Sequence, residues 1–566
     1  MTRVEMTYRT AQRIVTWALL AMAACSSDRA TGPGAATCSS ALATPVVLAV
    51  GAYLSIDPAS DAGCITFPSN ASAVDSAEYL LVPQSAAGTF GQASPFAFRT
   101  ATLTAAATPA AERLVLLSGN RAAAVQFDGL LRGLGRTRAR PARAAASRLL
   151  GVATVPATAA PPALGSLRTF TVCANKLDCS VASHFKTVGA RARAVGAHVA
   201  IYVDTLAPAN GLDSADVDTL KQVFDTLLYP LDSAAFGPVS DVDANGLVIA
   251  LMTPVVNALV TKSACSTSGY IAGFFFPPDL DLSASPSQSN HGEVFYSIVA
   301  DPTGTLSCAH SSAAVKSATP GTFAHELQHM INFAQHILIH AGSVTEEGWL
   351  DEGLSKYAEE LAGRSYLQQG DTATFSQYAF NDVADAYKYL SATGASPLLI
   401  EFDQGTLAEI GASWLFTRYL VDQYGAAFPG KLVQTSLAGS ANVAAETGHS
   451  FDTTVTRWPL ANWVSDLPGF TTPPELTYTS WRFRTRTFAS LHQQDPSDFP
   501  LPYPLVPTAG AGNAVSLTGT LRSGSGMYAR ALQAPGAPAF TLLFNGGGTA
   551  ALSAPVVPRL SVIRIR

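Results

Sequence analysis

The spacing of apolar residues changes along the chain. Between residues 41 and 127, short apolar runs such as Val46-Val47-Leu48-Ala49-Val50 and Tyr79-Leu80-Leu81-Val82 alternate with clusters of Gly, Ser, Pro and Asn. That pattern predicts a small β-sandwich. From 169 to about 467 the pattern becomes mixed, with strand-like runs at 198–203, 247–251 and 294–298. Between them lie helical periodicities at 216–228, 323–338, 350–361 and 412–424. From 471 onward the chain is again β-like and ends in the alternating run Leu560-Ser561-Val562-Ile563-Arg564-Ile565-Arg566. Between the first two blocks, Arg132, Arg136, Arg138, Arg140, Arg143 and Arg148 precede an Ala/Pro/Thr-rich stretch, which reads as a solvated linker. No regular repeat is present.

Composition narrows the class. Of 566 residues, 48% are hydrophobic and 13% charged, enough apolar area for several cores. The net charge of −6 supplies no basic field for a phosphate backbone, and the Arg run has no interleaved aromatics to stack on bases, so nucleic acid is not an expected partner. Arg3, Arg9 and Arg13 precede an apolar run at 14–24 that suits a signal-peptide core and is short for a membrane span. The run ends in Met22-Ala23-Ala24-Cys25, similar to a lipoprotein cleavage box, with Cys25 as the expected lipidation site. The protein is therefore expected to be exported, either as a cell-surface or outer-membrane lipoprotein or in secreted form, and to meet a membrane only through that anchor. Six cysteines then remain, an even number suited to an oxidising space. Sequence proximity favours pairing Cys38 with Cys64, Cys173 with Cys179 and Cys265 with Cys308.

The chemistry-bearing residues sit in the middle block. Thr319 and Pro320 suit the start of a helix that contains His325-Glu326-Leu327-Gln328-His329, an HExxH motif. Two His four residues apart share a helical face and can reach one zinc ion, and Glu326 beside the first can take a proton from water. Phe323, Leu327, Met330, Ile331, Ala334 and Leu338 form the opposite, apolar stripe. Zinc hydrolases need a third protein ligand. The metzincin continuation is absent, because Asn332 and Gln335 stand where Gly and His are required. A Glu from a second helix is the other option, and both Glu347 and Glu352 lie within reach in sequence. Helical phase places Glu352 opposite the stripe of Leu350, Leu354, Tyr357, Ala358 and Leu361, beside Gly348 and Ser355, whereas Glu347 falls within the stripe.

The HExxH segment through Phe333 and the segment Trp349-Leu350-Asp351-Glu352-Gly353-Leu354-Ser355-Lys356-Tyr357-Ala358-Glu359 together resemble the hyicolysin family of secreted bacterial zinc metallopeptidases, within the gluzincins. A third segment, from Gly405 through Trp414 to Gly425, is also similar. The resemblance implies a thermolysin-like catalytic domain acting on protein or peptide substrates, with zinc on His325, His329 and Glu352 and Glu326 as the catalytic base. Two positions depart from the pattern. Lys356 stands where an Asp usually supports a ligand His, so Asp351 or Glu359 is expected to take that role, and Ile410 stands where Arg is expected. No Gly-x-Met-Glu-Asn segment is present to grip a free N-terminus, which favours an endopeptidase. Tyr357, Tyr366, Tyr387, Tyr389, Tyr419 and Tyr424 are candidates for an oxyanion-stabilising hydroxyl.

Asp241-Val242-Asp243-Ala244-Asn245-Gly246 is similar to the start of a calcium loop, but Met252 stands at the twelfth position, where an EF-hand has Glu. A tight Asn-Gly turn is the favoured reading, and calcium is the second candidate cofactor after zinc. His336 and His340 are expected on a polar helix face rather than as ligands. The expected fold is multidomain α+β, a thermolysin-like metallopeptidase core flanked by N-terminal and C-terminal β-sandwich-like domains. The expected divisions are a signal peptide at 1–25, a β-rich domain at 26–131, a linker at 132–166, the metallopeptidase domain at 167–468 and a β-rich domain at 469–566. A surface-binding protein that has lost turnover, and a zinc hydrolase of a non-peptide acyl substrate, are the rival functions.

Overall fold

The computed structural model describes residues 38, 45–101, 122–150, 160–400, 405–548 and 550–566. The expected leader and Cys25 lie outside them. In chain order, β1 (Tyr53–Ile56), β2 (Cys64–Phe67), β3 (Ala77–Ser85) and β4 (Ala93–Thr100) are followed by the long helix α1 (Ala122–Leu150). Next come β5 (Leu167–Cys173), β6 (Phe185–Val195), β7 (Val199–Asp204), α2 (Ser214–Val223), α3 (Tyr229–Phe236), β8 (Val248–Met252), β9 (Gly273–Phe275) and β10 (Val294–Ser297). The larger helices α4 (Ser312–Phe333), α5 (Gly348–Gln368), α6 (Thr372–Ser391), α7 (Leu407–Tyr424) and α8 (Phe451–Val464) complete the middle block. Strands β11 (Thr508–Ala511), β12 (Ser516–Arg522), β13 (Ala529–Gln533), β14 (Phe540–Asn545) and β15 (Pro558–Arg564) end the chain. The architecture is mixed α+β, and no helix among the described residues is long and apolar enough to cross a membrane.

Two of the expected divisions do not describe these sheets. Rather than forming separate domains, the N- and C-terminal strands interleave in one sandwich, with orders β1-β15-β3-β13-β11 and β12-β4-β14-β2. Alternating polarity shows that a strand has a buried face, but it does not say which strand pairs beside it. Strand β3 is buried along its whole length. Tyr79 and Leu81 face the sandwich core, while Leu80 and Val82 join the core of the middle block. Its continuous apolar run is what a strand covered on both faces requires. The linker expected from residue 132 is, as far as residue 150, helix α1, with Phe127, Leu131, Ala139 and Ala142 buried.

The middle block is built on a six-stranded sheet of order β5-β6-β7-β8-β10-β9, in which β7, β8 and β10 run parallel and β9 is an antiparallel edge. In β6 the small apolar Val188, Ala190, Ala192 and Ala194 are buried while Lys186, Arg191 and Arg193 point outward. Helix α4 starts earlier than Thr319 and Pro320 suggest. Ser311 caps it by accepting from the Ala314 amide, so Pro320 lies in the helix interior. Helix α5 is buried on all sides through Glu360, wedged against α4, α6 and α7. Close helix approach needs small residues there. A Cβ on Gly353 would lie 2.3 Å from Thr417 Oγ1, and one on Gly411 of α7 would lie 2.1 Å from the Asp385 carbonyl oxygen of α6. The six cysteines lie in three pairs at disulfide distance, Cys38 with Cys64, Cys173 with Cys179 and Cys265 with Cys308.

Because the obstacle at Gly411 is backbone, Gly411→Ala is expected to destabilise the fold by about 1–3 kcal/mol, the usual cost of overpacking. A thermal melt should show a lower midpoint. A midpoint equal to that of the wild type would mean that α6 and α7 separate freely.

Candidate metal centre

Helices α4 and α5 bring His325, His329 and Glu352 together, with one ligand atom of each within 4.8 Å of the others. His325 Nε2 and His329 Nε2 are 3.1 Å apart. Glu352 Oε1 lies 3.5 Å from His329 Nε2, and its Oε2 lies 3.7 Å from His325 Nε2. Ligand atoms about 2.0–2.1 Å from a tetrahedral ion stand roughly 3.4 Å from one another, so this triangle has the size of a metal site. Glu352 is 6% exposed, and its Oε1 accepts no hydrogen bond from the described residues. Two imidazole nitrogens facing each other beside such an oxygen form a donor set that could hold a metal ion.

The outer ring nitrogens are held as well. His325 Nδ1 lies 2.8 Å from Glu359 Oε1, and His329 Nδ1 lies 3.1 Å from Asp351 Oδ1. Carboxylates in those places orient ligand imidazoles and raise their basicity. Lys356 donates to Glu359 Oε1 at 2.6 Å and lies 3.6 Å from Asp382 Oδ1, so the residue that departs from the expected pattern anchors the carboxylate beneath His325. Asn332 donates to Asp351 Oδ1 at 2.5 Å. Burial disfavours charge on His325, yet the bond to Glu359 and the charges of Glu326 and Glu359 together outweigh it and, without metal, lift the imidazole to about 9. Burial lowers His329. Burial raises Glu326, against the pull of His325 and Arg132, while the Phe275 amide of edge strand β9 donates to its Oε2 at 2.7 Å.

Helix α1, unforeseen in the sequence, covers this cleft. Arg132 is 5% exposed, pairs with Asp351 Oδ2 at 3.4 Å and reaches the Phe275 carbonyl at 3.5 Å. Asp128, one turn earlier, is pushed up to about 7 by burial and by the charge of Glu326, with His325 and Arg132 opposing. Farther along, Arg138 pairs with Asp281, and Arg143 donates to the Ala341 carbonyl at 2.9 Å. Arg132, Arg138 and Arg143 of the run are therefore spent on carboxylates and carbonyls of the middle block, while Arg136 and Arg140 are exposed. The signal that could have shown this is the i, i+4 spacing of Ala123, Phe127 and Leu131, an apolar stripe with Asp128 and Arg132 beside it. Cavities of about 20 Å³ flank Arg132, one beside His329 and Asp351, the other beside Glu352 and Ile410. A larger cavity of about 520 Å³, lined by Arg191, Asp204 and Met252, contains none of the metal-centre residues.

The remaining candidates fall elsewhere. Glu347 stands at the N-cap position of α5 without a side-chain capping bond, and its Oε2 accepts from Trp349 Nε1 at 2.7 Å. His336 is fully buried rather than on a polar face, because α4 runs on into a π-helical turn (Ala334–Ile339) against the core, and burial lowers its imidazole to about 4. His340 is exposed. Tyr387 and Tyr419 donate to the Leu501 and Glu475 carbonyls, Tyr389 stacks on Trp458, Tyr366 stacks on Tyr378, Tyr424 stacks on Phe428, and Tyr357 lies under Arg418. None of these contacts involves a metal-centre residue.

No protein-family model matches the chain. The chain is similar to the neutral metalloprotease ShpI of Staphylococcus hyicus, at 29% identity over 214 residues, which are 38% of this chain and 44% of that protein. The match thus spans less than half the length of that relative, and it supports a distant relationship to the metalloproteases.

Proposed function

We propose that this chain is an exported, zinc-dependent endopeptidase of the thermolysin-like, hyicolysin type. The observation that carries the reading is the triangle of His325, His329 and Glu352 at tetrahedral spacing, with a carboxylate behind each imidazole. Zinc held there would polarise the scissile carbonyl and acidify water. Glu326 takes the proton of the attacking water and returns it to the leaving amine, a role suited to a carboxylate whose burial raises its proton affinity. Hydrolysis is favoured over binding without turnover because Lys356 supports Glu359 instead of leaving His325 unsupported. Export and lipidation of Cys25 belong to the same reading, and the disulfide-distance pairs favour an oxidising space. With Arg132 across the cleft, the chain is a latent form that hydrolyses peptides once α1 withdraws.

Three outcomes test the reading. Glu326→Gln should keep its metal and its melting behaviour and lose casein hydrolysis by ~10²–10⁴-fold, as expected for removal of a general base. Comparable activity in that variant would reject the mechanism. By elemental analysis, Glu352→Ala should lose most of its bound zinc while Glu347→Ala keeps it, and the reverse would reject the ligand assignment. Arg132→Ala breaks a buried ion pair worth about 3–5 kcal/mol when one partner is removed, and should raise turnover of a short peptide at least ~10-fold by loosening α1. A fall instead would make Arg132 part of the catalytic machinery.

A further inference from the structure

A second group of carboxylates lies away from the metal centre. One carboxylate oxygen from each of Asp241, Asp243 and Glu293 lies within 4.8 Å of the others. The two Asp belong to the loop between α3 and β8, which folds back on them. The Gly246 amide donates to Asp241 Oδ1 at 3.1 Å and the Asn245 amide to Asp243 Oδ1 at 3.4 Å. Glu293 comes from elsewhere in the chain, the residue before β10. Its Oε1 accepts from Ser240 Oγ at 2.6 Å and from the Val242 amide at 2.9 Å. Its Oε2 is buried and accepts no hydrogen bond from the described residues, although Glu293 is only 1% exposed.

A buried carboxylate oxygen with no donor, set beside two further carboxylates, is costly unless a cation completes it. Burial, with Asp243 and Asp241 adding repulsion, pushes Glu293 up to about 7. Burial also raises Asp243, which the Arg168 guanidinium offsets in part. The donors are all hard oxygens, as calcium prefers. We propose that Asp241, Asp243 and Glu293 form a calcium site that ties the 241–246 loop to the β8–β10 strand pair. An EF-hand draws its bidentate Glu from its own twelfth position, which here is Met252, buried in β8. Strand β10 runs parallel beside β8, with Val294 opposite Ile249, so the neighbouring strand delivers Glu293 to the loop instead. Strand β10 also pairs with β9, whose Phe275 amide holds Glu326, so the ion would stiffen the sheet behind the metal centre.

The test uses the full zinc-loaded chain, freed of calcium and titrated calorimetrically with calcium chloride, alongside thermal melts. Calcium should bind with a dissociation constant of ~1 mM or tighter, within the range of calcium loops, and should raise the melting midpoint. Glu293→Gln and Asp241→Asn should each weaken binding at least ~10-fold, because each removes one carboxylate charge from the site. Asp241 lies in an exposed part of the loop, so its variant decides the matter if Glu293→Gln does not fold. Absence of binding and of any melting shift in the wild type would overturn the proposal. So would calcium binding that survives Asp241→Asn but is lost in Glu352→Ala, which would place the ion in the zinc centre. Loss of peptidase activity in Glu326→Gln leaves this titration unchanged, so the two readings fail independently.

Discussion

The structure is organised around the cost of burying charge. His325, Glu326, His329, Asp351, Glu352, Lys356 and Glu359 are all less than a tenth exposed and sit on two helices packed against each other. Isolated charges in such a place would not survive folding, so each must have a partner. The partners form two chains. One runs from Asp382 through Lys356 and Glu359 to His325, and the other from Arg132 through Asp351 to His329. The two chains meet where the Nε2 atoms face Glu352, a set of donors that could hold an ion.

Packing around that point follows from it. Helix α5 carries Asp351, Glu352, Lys356 and Glu359, so it cannot use one polar face toward water and must be enclosed by α4, α6 and α7. Enclosure at that distance demands glycine at 353 and 411, where neighbouring helix atoms occupy the space of a Cβ. The sheet contributes through its edge, because β9 has only one strand neighbour among the described residues, and the Phe275 amide turns to Glu326 while its carbonyl turns to Arg132. The backbone of a single residue thus touches both the proposed base and the helix that covers it.

The sandwich is joined to this core rather than hung beside it. Alternate residues of β3 serve two cores, and Ser561 of β15 donates to the Thr456 carbonyl of α8 at 2.9 Å. Arg559 adds an ion pair to Asp452 at 2.8 Å. Because the first and last strands of the chain share sheets, the middle block is inserted between the two halves of one β unit.

Local periodicity and spacing determined a good deal. The four-residue separation of His325 and His329 follows from helical geometry, as does the phase that separates Glu352 from Glu347. The runs at 198–203, 247–251 and 294–298 match strands β7, β8 and β10 to within a residue or so, because fully buried strands read as unbroken apolar segments. The cysteine pairs were legible from sequence proximity, each pair being expected inside one folded unit. Contacts between distant segments were not. Which strands pair across 400 residues, whether an Arg-rich segment meets water or a cleft lined with carboxylates, and which neighbouring strand brings Glu293 to a loop fifty residues earlier all depend on surfaces that exist only after folding. Polarity along one chain records that a residue must be paired or buried, and tertiary structure alone supplies the partner.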